Sequence, residues 1–147
     1  IGGLDKVNND ESASSKNEKV ETKFFKKGER GVLTLTAQTV VSAEIVEKVK
    51  YHEIKEGNEI LIIKLLKENI SGDIVPGVSM DEYQVETKDG VLIKPAIIGG
   101  ITVYNFDDLP AGNKVEQTLV YELPKGQAKN LVIIDSGNKY ASFDLEL

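Results

Sequence analysis

Apolar and polar side chains alternate along several segments of this chain, and no other feature constrains the fold as strongly. In residues 114–123, one face collects Val115, Gln117, Leu119, Tyr121 and Leu123, with Val120 the one apolar residue on the opposite face. Residues 31–38, with Leu33, Leu35 and Ala37 on one face, and residues 141–147 alternate in the same way. Because successive side chains of a strand point to opposite faces, a period of two predicts half-buried antiparallel strands.

Two further segments are apolar on both faces. Residues 60–66 and 131–134 consist almost entirely of Ile, Leu and Val. A buried helix is the alternative for the first run, but Asn58 before it and residues 69–72 after it limit its length. The β-branched content also favours strands. Both runs are therefore predicted to be central strands, covered on each side.

Turn signals separate these segments. Asp89-Gly90 lies between two strand-like stretches and predicts a hairpin with a tight type I′ turn, in which glycine supplies positive φ. Residues 42–55 are ambiguous, because their apolar residues fit both strand and helix spacing; strand is favoured and a short helix remains the alternative. Seven to nine strands, with turns every 8–15 residues and no strand-helix-strand alternation, predict an all-β antiparallel sandwich or barrel.

The beginning of the chain has a different composition. Between Asp5 and Lys19 only Val7 and Ala13 are apolar, and no period of 2 or 3.6 is visible. Such a segment cannot bury enough apolar surface to offset its ordering entropy. We predict a flexible linker over residues 1–22 and one folded domain over residues 23–147. No apolar run reaches the roughly 18 residues that a membrane-spanning helix needs.

Composition excludes several kinds of chemistry. The chain has 147 residues, no Cys, one His and a formal net charge of -6. Cysteine nucleophiles, thiolate metal sites and disulfides are therefore impossible, and a nucleic-acid partner is not expected because that requires a basic surface. His52 is expected on the solvent face of its segment, in a plain surface role. No cofactor, metal site or catalytic residue is predicted.

A few polar residues deserve comparison with known binding chemistry. Asn105, Asp107 and Asp108, with Asp73 as a possible neighbour, carry oxygens of the kind that bind Ca²⁺. Leu109 and Pro110 occupy the next ligand-like positions, so a solvated turn is the favoured interpretation. Phe24 and Phe25 precede cations and suggest contact with a membrane or cell-wall polyanion, but an edge strand followed by a charged turn fits better.

From residue 60 onward the order of short motifs is familiar. The motifs are the apolar strand that ends at Asn69-Ile70-Ser71, then Tyr83-Gln84-Val85, Asp89-Gly90, Leu109-Pro110-Ala111-Gly112, Leu119-Val120-Tyr121-Glu122-Leu123-Pro124 and Leu131-Val132-Ile133. Residues 31–147 thus resemble the immunoglobulin-like, telokin-like domain of unknown function found in secreted and lipid-anchored proteins of Gram-positive bacteria. That domain is related to the mycobacterial secreted immunoprotective antigen. The extended segment 42–55 and the loop 73–77 depart from its pattern.

The resemblance implies an immunoglobulin-like sandwich, export from the cell and, in most members, a lipid-modified Cys upstream of this segment. It offers no catalytic residues. We therefore predict a non-enzymatic extracytoplasmic binding or interaction module, anchored to the membrane only through that lipid, whose partner is an unknown protein or cell-wall ligand. The predicted binding loops are 71–79 and 104–111, because end loops carry binding in such folds. A small carboxylate-dependent hydrolase or carbohydrate-active enzyme, and a structural subunit of an envelope assembly, are the alternatives.

Overall fold

The structure, a computed structural model, describes residues 20–147, which form two β-sheets packed face to face. The strands are β1 (Glu21–Lys26), β2 (Gly31–Val32), β3 (Thr36–Val46), β4 (Asn58–Asn69), β5 (Tyr83–Thr87), β6 (Leu92–Ile93), β7 (Lys114–Pro124), β8 (Ala128–Ser136) and β9 (Lys139–Asp144). One 3-10 turn, Met80–Glu82, precedes β5. No helix in this part of the chain is long and apolar enough to cross a membrane.

The two sheets have five and four strands. The five-stranded sheet has the order β1-β9-β8-β5-β6, and the four-stranded sheet has the order β2-β3-β4-β7. All pairs are antiparallel except one, since β1 runs parallel to β9 from Glu21, opposite Lys139, to Lys26, opposite Asp144. The predicted all-β sandwich is confirmed, with this parallel pair as an addition that the alternation pattern does not contain.

The two apolar runs are central strands, as predicted. Residues 60–66 lie in β4 between β3 and β7, and residues 131–134 lie in β8 between β9 and β5. Their inward side chains form the main core with Tyr83, Tyr121 and Phe143. Val120, which breaks the alternation of β7, packs with Ile60 and Ile98 in a second apolar cluster on the outer face.

The interpretation of residues 31–38 as one strand is wrong. The chain bends at Thr34 and Leu35, so that β2 and β3 are separate strands. The Asp135 carboxylate accepts hydrogen bonds from the Thr34 amide at 3.1 and 3.2 Å, and the Thr34 hydroxyl also donates to it at 2.8 Å. Leu33 is buried, but Leu35 is exposed. The bend interrupts the alternation, because residues on its two sides no longer share one pleated surface.

The hairpin at Asp89-Gly90 forms, but with a longer connection than predicted. β5 ends at Thr87 and β6 begins at Leu92. The Gly90 amide donates to the Thr87 carbonyl, and Gly90 alone in this connection has positive φ, at 86°. A type I′ turn requires positive φ at both central residues. The loop is therefore a four-residue connection in which glycine follows an ordinary turn.

Segment 42–55 is a strand only in its first part. β3 continues to Val46, after which the chain is irregular as far as the start of β4. A bridge between Val49 and His52 encloses Tyr51, which has a positive φ of 64°. A bulge between Val40 and Ser42, just before this segment, moves the inward parity of β3 by one residue.

The predicted linker, residues 1–22, lies mostly outside the part of the chain that the structure describes. Its last two residues, Glu21 and Thr22, belong to β1, because their backbones pair with Lys139 and Tyr140. The strand thus begins two residues before the predicted domain boundary. Within β1, Phe25 is half-buried and stacks on Phe143, with ring centroids 5.0 Å apart, whereas Phe24 points into solvent.

Candidate functional site

The two loops predicted to bind a ligand, 71–79 and 104–111, lie against each other at one end of the sandwich. Val75 and Leu109 exchange reciprocal backbone hydrogen bonds of 3.0 and 2.8 Å. A Cβ atom built on Gly77 would lie 2.0 Å from the Phe106 carbonyl oxygen, so only glycine allows this approach of the two backbones. The loops are therefore one packed unit.

Asn69, the last residue of β4, fastens this unit to the sheet. Its amide nitrogen donates to the carbonyls of Asp73 and Leu109, at 2.7 and 2.8 Å. Its amide oxygen accepts from the backbone and the hydroxyl of Ser71, both at 2.8 Å. The motif Asn69-Ile70-Ser71 is thus a structural turn whose buried amide is fully used.

The four predicted site residues all belong to these loops, and their oxygens mainly cap backbone groups. Asp108 accepts from the Gly77 amide at 3.0 Å, Asn105 from the Asp107 amide at 3.0 Å, and Asp73 from the Ile74 amide at 2.9 Å. Within residues 20–147 no three acidic or histidine side chains lie together as metal ligands would. Asp107 and Asp108 therefore act as parts of turns in this geometry.

Beneath the loops a cleft of about 200 Å³ opens toward the interface between the two sheets. Its apolar walls are Leu35, Val75, Pro76, Val78 and Ile134. Its polar lining consists of Thr36, Gln38, Lys67 and Tyr83, together with the carboxylates of Glu82 and Asp135. Of the two loops predicted to bind, 71–79 thus contributes one wall of the cleft, whereas no residue of 104–111 is part of its lining. Most of the polar side chains come from the strands, and Glu82 comes from the 3-10 turn.

Two polar side chains of the cleft are buried and lie side by side. Gln38 on β3 pairs with Lys67 on β4, and both side chains face inward, being 3% and 8% exposed. The Gln38 amide nitrogen donates to the Thr36 hydroxyl at 3.2 Å, but its amide oxygen has no hydrogen-bond partner in residues 20–147. A buried carbonyl without a partner is costly, and native proteins rarely leave one so.

Gln117 on β7 continues this polar surface. Its amide oxygen accepts from the Asn105 backbone at 3.0 Å, which connects the loop to the sheet. Its amide nitrogen makes no well-aligned hydrogen bond among the residues described, although the Gln117 side chain is near enough to the Tyr83 hydroxyl to interact with it. The inward face of the four-stranded sheet is thus apolar along most of its length and polar at the loop end. Unpaired polar atoms inside a sandwich mark a place where water or a ligand completes the bonding.

Three tyrosines from different elements surround the polar cluster. The Tyr121 hydroxyl donates to the Tyr83 carbonyl and the Tyr104 hydroxyl to the Val78 carbonyl, each at 2.8 Å. Burial raises the pKa of Tyr83 to about 12, and burial also raises the pKa values of Tyr104 and Tyr121. All three phenols are therefore neutral hydrogen-bonding groups at physiological pH.

Lys67 is the unusual charge in the cleft. No carboxylate of the described chain lies within 4.0 Å of its ammonium group, although Glu82 is near enough to interact with it. Burial lowers the pKa of Lys67, and the negative charge of Glu82 opposes that change. A buried cation with a distant counter-charge is poised to accept an anionic group from outside.

Sequence reasoning missed Lys67 and placed Gln38 on the wrong face. Lys67 has the same parity as Leu61, Ile63 and Leu65, and this parity was the available signal that the lysine points into the core. The alternation of Leu33, Leu35 and Ala37, continued through the bend at residues 34–35, predicts Gln38 on the solvent face, but Gln38 is buried. Gln117 was assigned to the inward face, and it lies there.

His52 lies on the outer face of the four-stranded sheet, away from the cleft, but it is not an isolated surface residue. Its Nε2 atom lies 3.0 Å from a Glu122 carboxylate oxygen. The other Glu122 oxygen accepts from the Lys55 amide at 2.9 Å and the Asn58 side chain at 3.1 Å. These bonds, that of His52 foremost, lower the pKa of Glu122 and hold segment 47–57 on the sheet.

Comparison with known proteins identifies relatives by fold. No protein-family profile and no curated protein matches the sequence. The yjhA protein of Bacillus subtilis matches with a TM-score of 0.65 and 25% identity, covering 82% of this chain and 99% of that one. The secreted protein MPT63 of Mycobacterium tuberculosis matches with a TM-score of 0.67 and 10% identity, covering 86% and 99%.

A third structure, the candidate lipoprotein ycdA of Bacillus subtilis, matches with a TM-score of 0.65 and 13% identity, covering 82% of this chain and 39% of that protein. The chain therefore shares the immunoglobulin-like β-sandwich fold of these proteins. Their names include a secreted protein and a candidate lipoprotein and specify neither a ligand nor a reaction.

Proposed function

We propose that this chain is a non-enzymatic, extracytoplasmic binding module of a bacterial cell envelope, held at the membrane through a lipid anchor upstream of the domain. The observation that carries the proposal is the cleft beneath loops 71–79 and 104–111. In it, the buried amide oxygen of Gln38, which has no hydrogen-bond partner in residues 20–147, and the buried ammonium group of Lys67 lie next to apolar walls open to solvent. Concavities of that kind are the usual ligand sites of a rigid scaffold.

The fold relatives support the compartment. One is a secreted protein and one a candidate lipoprotein, and both share the sandwich. The absence of cysteine in this chain is compatible with any compartment and adds nothing to this argument. Export and anchoring are tested directly by expressing the complete gene product in a Gram-positive host and separating membrane, wall and medium fractions. Recovery in the cytosol would contradict the proposal.

Binding at the loop end is tested with the fluorescently labelled chain and isolated envelope fragments of a Gram-positive bacterium, by co-sedimentation. The double substitution Ile74→Ser and Phe106→Ser removes two side chains that are 57% and 61% exposed on the loops. We expect the bound fraction to fall about tenfold, as for central contacts of an interface. Val103→Ser changes a residue of similar exposure, 58%, outside the loops and is expected to bind like the unmodified chain.

A structural subunit of an envelope assembly is the second candidate, and one surface favours it. The outer face of the five-stranded sheet carries a shallow depression of about 400 Å³ lined by Val20, Phe24, Leu92, Val132 and Tyr140, among others. Phe24 is 77% exposed. Concentration-dependent self-association in sedimentation velocity, lost on Phe24→Ser, would favour this function over the binding module.

A further inference from the structure

The cleft combines groups of both charges around a small apolar space, and this combination specifies a class of ligand. We infer that it binds a compact zwitterion of the amino-acid type, with the carboxylate at Lys67, the ammonium group toward Glu82, and an apolar side chain against the walls, while Asp135, whose oxygens accept hydrogen bonds from Thr34, contributes its negative charge. This inference rests on the proposed function, since it names the ligand of the same site. It goes further by assigning a role to each polar residue.

Size limits the ligand first. Pockets for drug-sized molecules have volumes of roughly 300–1,000 Å³. The cleft, at about 200 Å³, is smaller than that range. Its walls come from Leu35, Val75, Pro76, Val78 and Ile134, so the part of the ligand that fills it is apolar and compact. A single amino acid with an aliphatic side chain meets both conditions, whereas an oligosaccharide meets neither.

Lys67 determines the first charge. Its side chain is inside the sandwich, and no carboxylate within residues 20–147 forms an ion pair with it. An ammonium group that has already lost most of its water gains more from an arriving carboxylate than an exposed lysine would, because the local dielectric is low. The ligand group that reaches Lys67 is therefore an anion.

Glu82 and Asp135 determine the second charge. Both line the cleft, and with Lys67 they give it a formal charge of -1 when all three are ionised. A simple carboxylate would meet their repulsion, and a dianion more so. A ligand that also carries an ammonium group converts that repulsion into attraction. The unpartnered oxygen of Gln38, beside Lys67, is an additional acceptor for its N–H groups once the side chain shifts.

The test is titration calorimetry of the full chain with three probes of one shape, namely L-leucine, 4-methylpentanoate and 3-methylbutylamine. They present both charges, the carboxylate alone and the amine alone. We expect L-leucine to bind with a dissociation constant of about 1 mM or tighter, and each of the other two to bind at least about tenfold more weakly. Absence of heat from L-leucine up to about 10 mM, or equal affinity for 4-methylpentanoate, overturns the inference.

Variants assign the contacts. Lys67→Met keeps the unbranched buried side chain as far as Cε and removes its charge, so the fold is retained or gains stability. We expect about a tenfold loss of L-leucine affinity. Lys64→Met, on the exposed face of the same strand, is the matched control and leaves affinity unchanged. If the Lys67→Met variant binds L-leucine as tightly as the unmodified chain does, the inference is overturned. Circular dichroism checks that each variant is folded.

The two proposals fail separately. One outcome is that L-leucine does not bind, the chain still co-sediments with envelope fragments, and the double variant Ile74→Ser and Phe106→Ser does not co-sediment. The loop end is then a binding site for another ligand, and only the zwitterion is wrong. If L-leucine binds and envelope fragments do not, the cleft is a soluble-ligand site, and the envelope partner in the proposed function is wrong.

Discussion

Gly77 shows how a single residue decides the shape of the loop end. Its missing side chain lets the chain approach the Phe106 carbonyl, and its amide is bound by Asp108. The residue is not in the left-handed region, so backbone strain is not the reason for glycine here. Contact alone excludes every other amino acid, and the cleft below depends on that contact.

Gly77→Ala is therefore expected to destabilise the domain by about 2 kcal/mol or more, because a Cβ atom must push the two loops apart. Urea unfolding measures this directly. Gly72→Ala is the control within the same loop, since nothing lies within 4 Å of its added Cβ atom, and its effect should stay within about 0.5 kcal/mol. Equal stability of the two variants would show that the loops are not packed as described.

The carboxylate of Glu122 makes the stability of the domain depend on pH. Hydrogen bonds from His52, the Lys55 amide and Asn58 lower its pKa, so its ionised form is favoured in the folded protein. A carboxyl group with a lowered folded pKa adds stability that is fully present above its unfolded pKa of about 4.3 and is lost as pH falls through the folded value.

Glu122→Gln should therefore lower stability at pH 7 and flatten the loss of stability between roughly pH 5 and pH 2, as followed by urea unfolding at each pH. The variant Glu116→Gln, on the exposed face of the same strand, should keep the acid-dependent slope of the unmodified chain. A slope that is identical in both variants would mean that Glu122 is not held as the structure indicates.

Among the elements, the loops 71–79 and 104–111 form one packed unit because polar side chains in and next to them hydrogen-bond to their backbones. Asn69, Asn105 and Asp108 bind backbone groups that the loops would otherwise leave unpaired. This use of carboxylate and amide oxygens competes with metal binding, since a cation would need the same oxygens.

Millimolar Ca²⁺ is accordingly expected to raise the melting temperature by less than about 3 °C. One saturated site at 100 times its dissociation constant would add about 2.7 kcal/mol, which is a larger shift in a domain of this size. Differential scanning fluorimetry with and without EDTA provides the measurement. A large saturable shift that Asp107→Asn and Asp108→Asn abolish would establish a calcium site in this loop.

The strands themselves follow from sequence wherever one rule operates along an element. β4 and β7 contain no bulge, so the parity of their inward residues is constant from end to end and predicts the inward position of Gln117, even though Ile60 and Val120 add apolar residues to the outer face. β3 contains a bulge after Val40, and the bend at Thr34 depends on Asp135, which is 101 residues away. Neither is encoded in local spacing, and the bend is the reason why the alternation of residues 31–38 predicts the wrong face for Gln38.

At the scale of the whole molecule, the candidate site could be predicted only in outline. The loop positions follow from the likeness to a sandwich, in which end loops cluster. The cleft does not, because its charged groups come from three separate elements, namely Lys67 on β4, Glu82 in the 3-10 turn and Asp135 on β8, which only the folded chain brings together. Pairing of β1 with β9 was equally hidden, since a parallel partner 118 residues away leaves no signature in a six-residue strand.

Strand β1 is an edge strand of the five-stranded sheet, and its contribution to stability depends on Phe25. Phe25 stacks on Phe143, while Phe24 is mostly in solvent. We expect Phe25→Ala to cost about 2 kcal/mol in urea unfolding, somewhat less than a fully buried phenylalanine, and Phe24→Ala to change stability by under about 0.5 kcal/mol. If Phe25→Ala were as mild as its neighbour, β1 would contribute little to the sandwich.

The parallel pairing of β1 with β9 also determines at which end of the sandwich the chain enters the domain. The Glu21 amide bonds to the Asn138 carbonyl, just past the end of β8 where Ile134 and Asp135 line the cleft, so the chain enters the sandwich at the cleft end. Leu147 lies near Glu59 and Gly126 at the far end. If the domain is anchored ahead of Glu21, as proposed, its cleft is at the end nearer the anchor. A pull between the anchor and a molecule bound in the cleft would then act on one end of the domain and would not pass through the end where Leu147 lies.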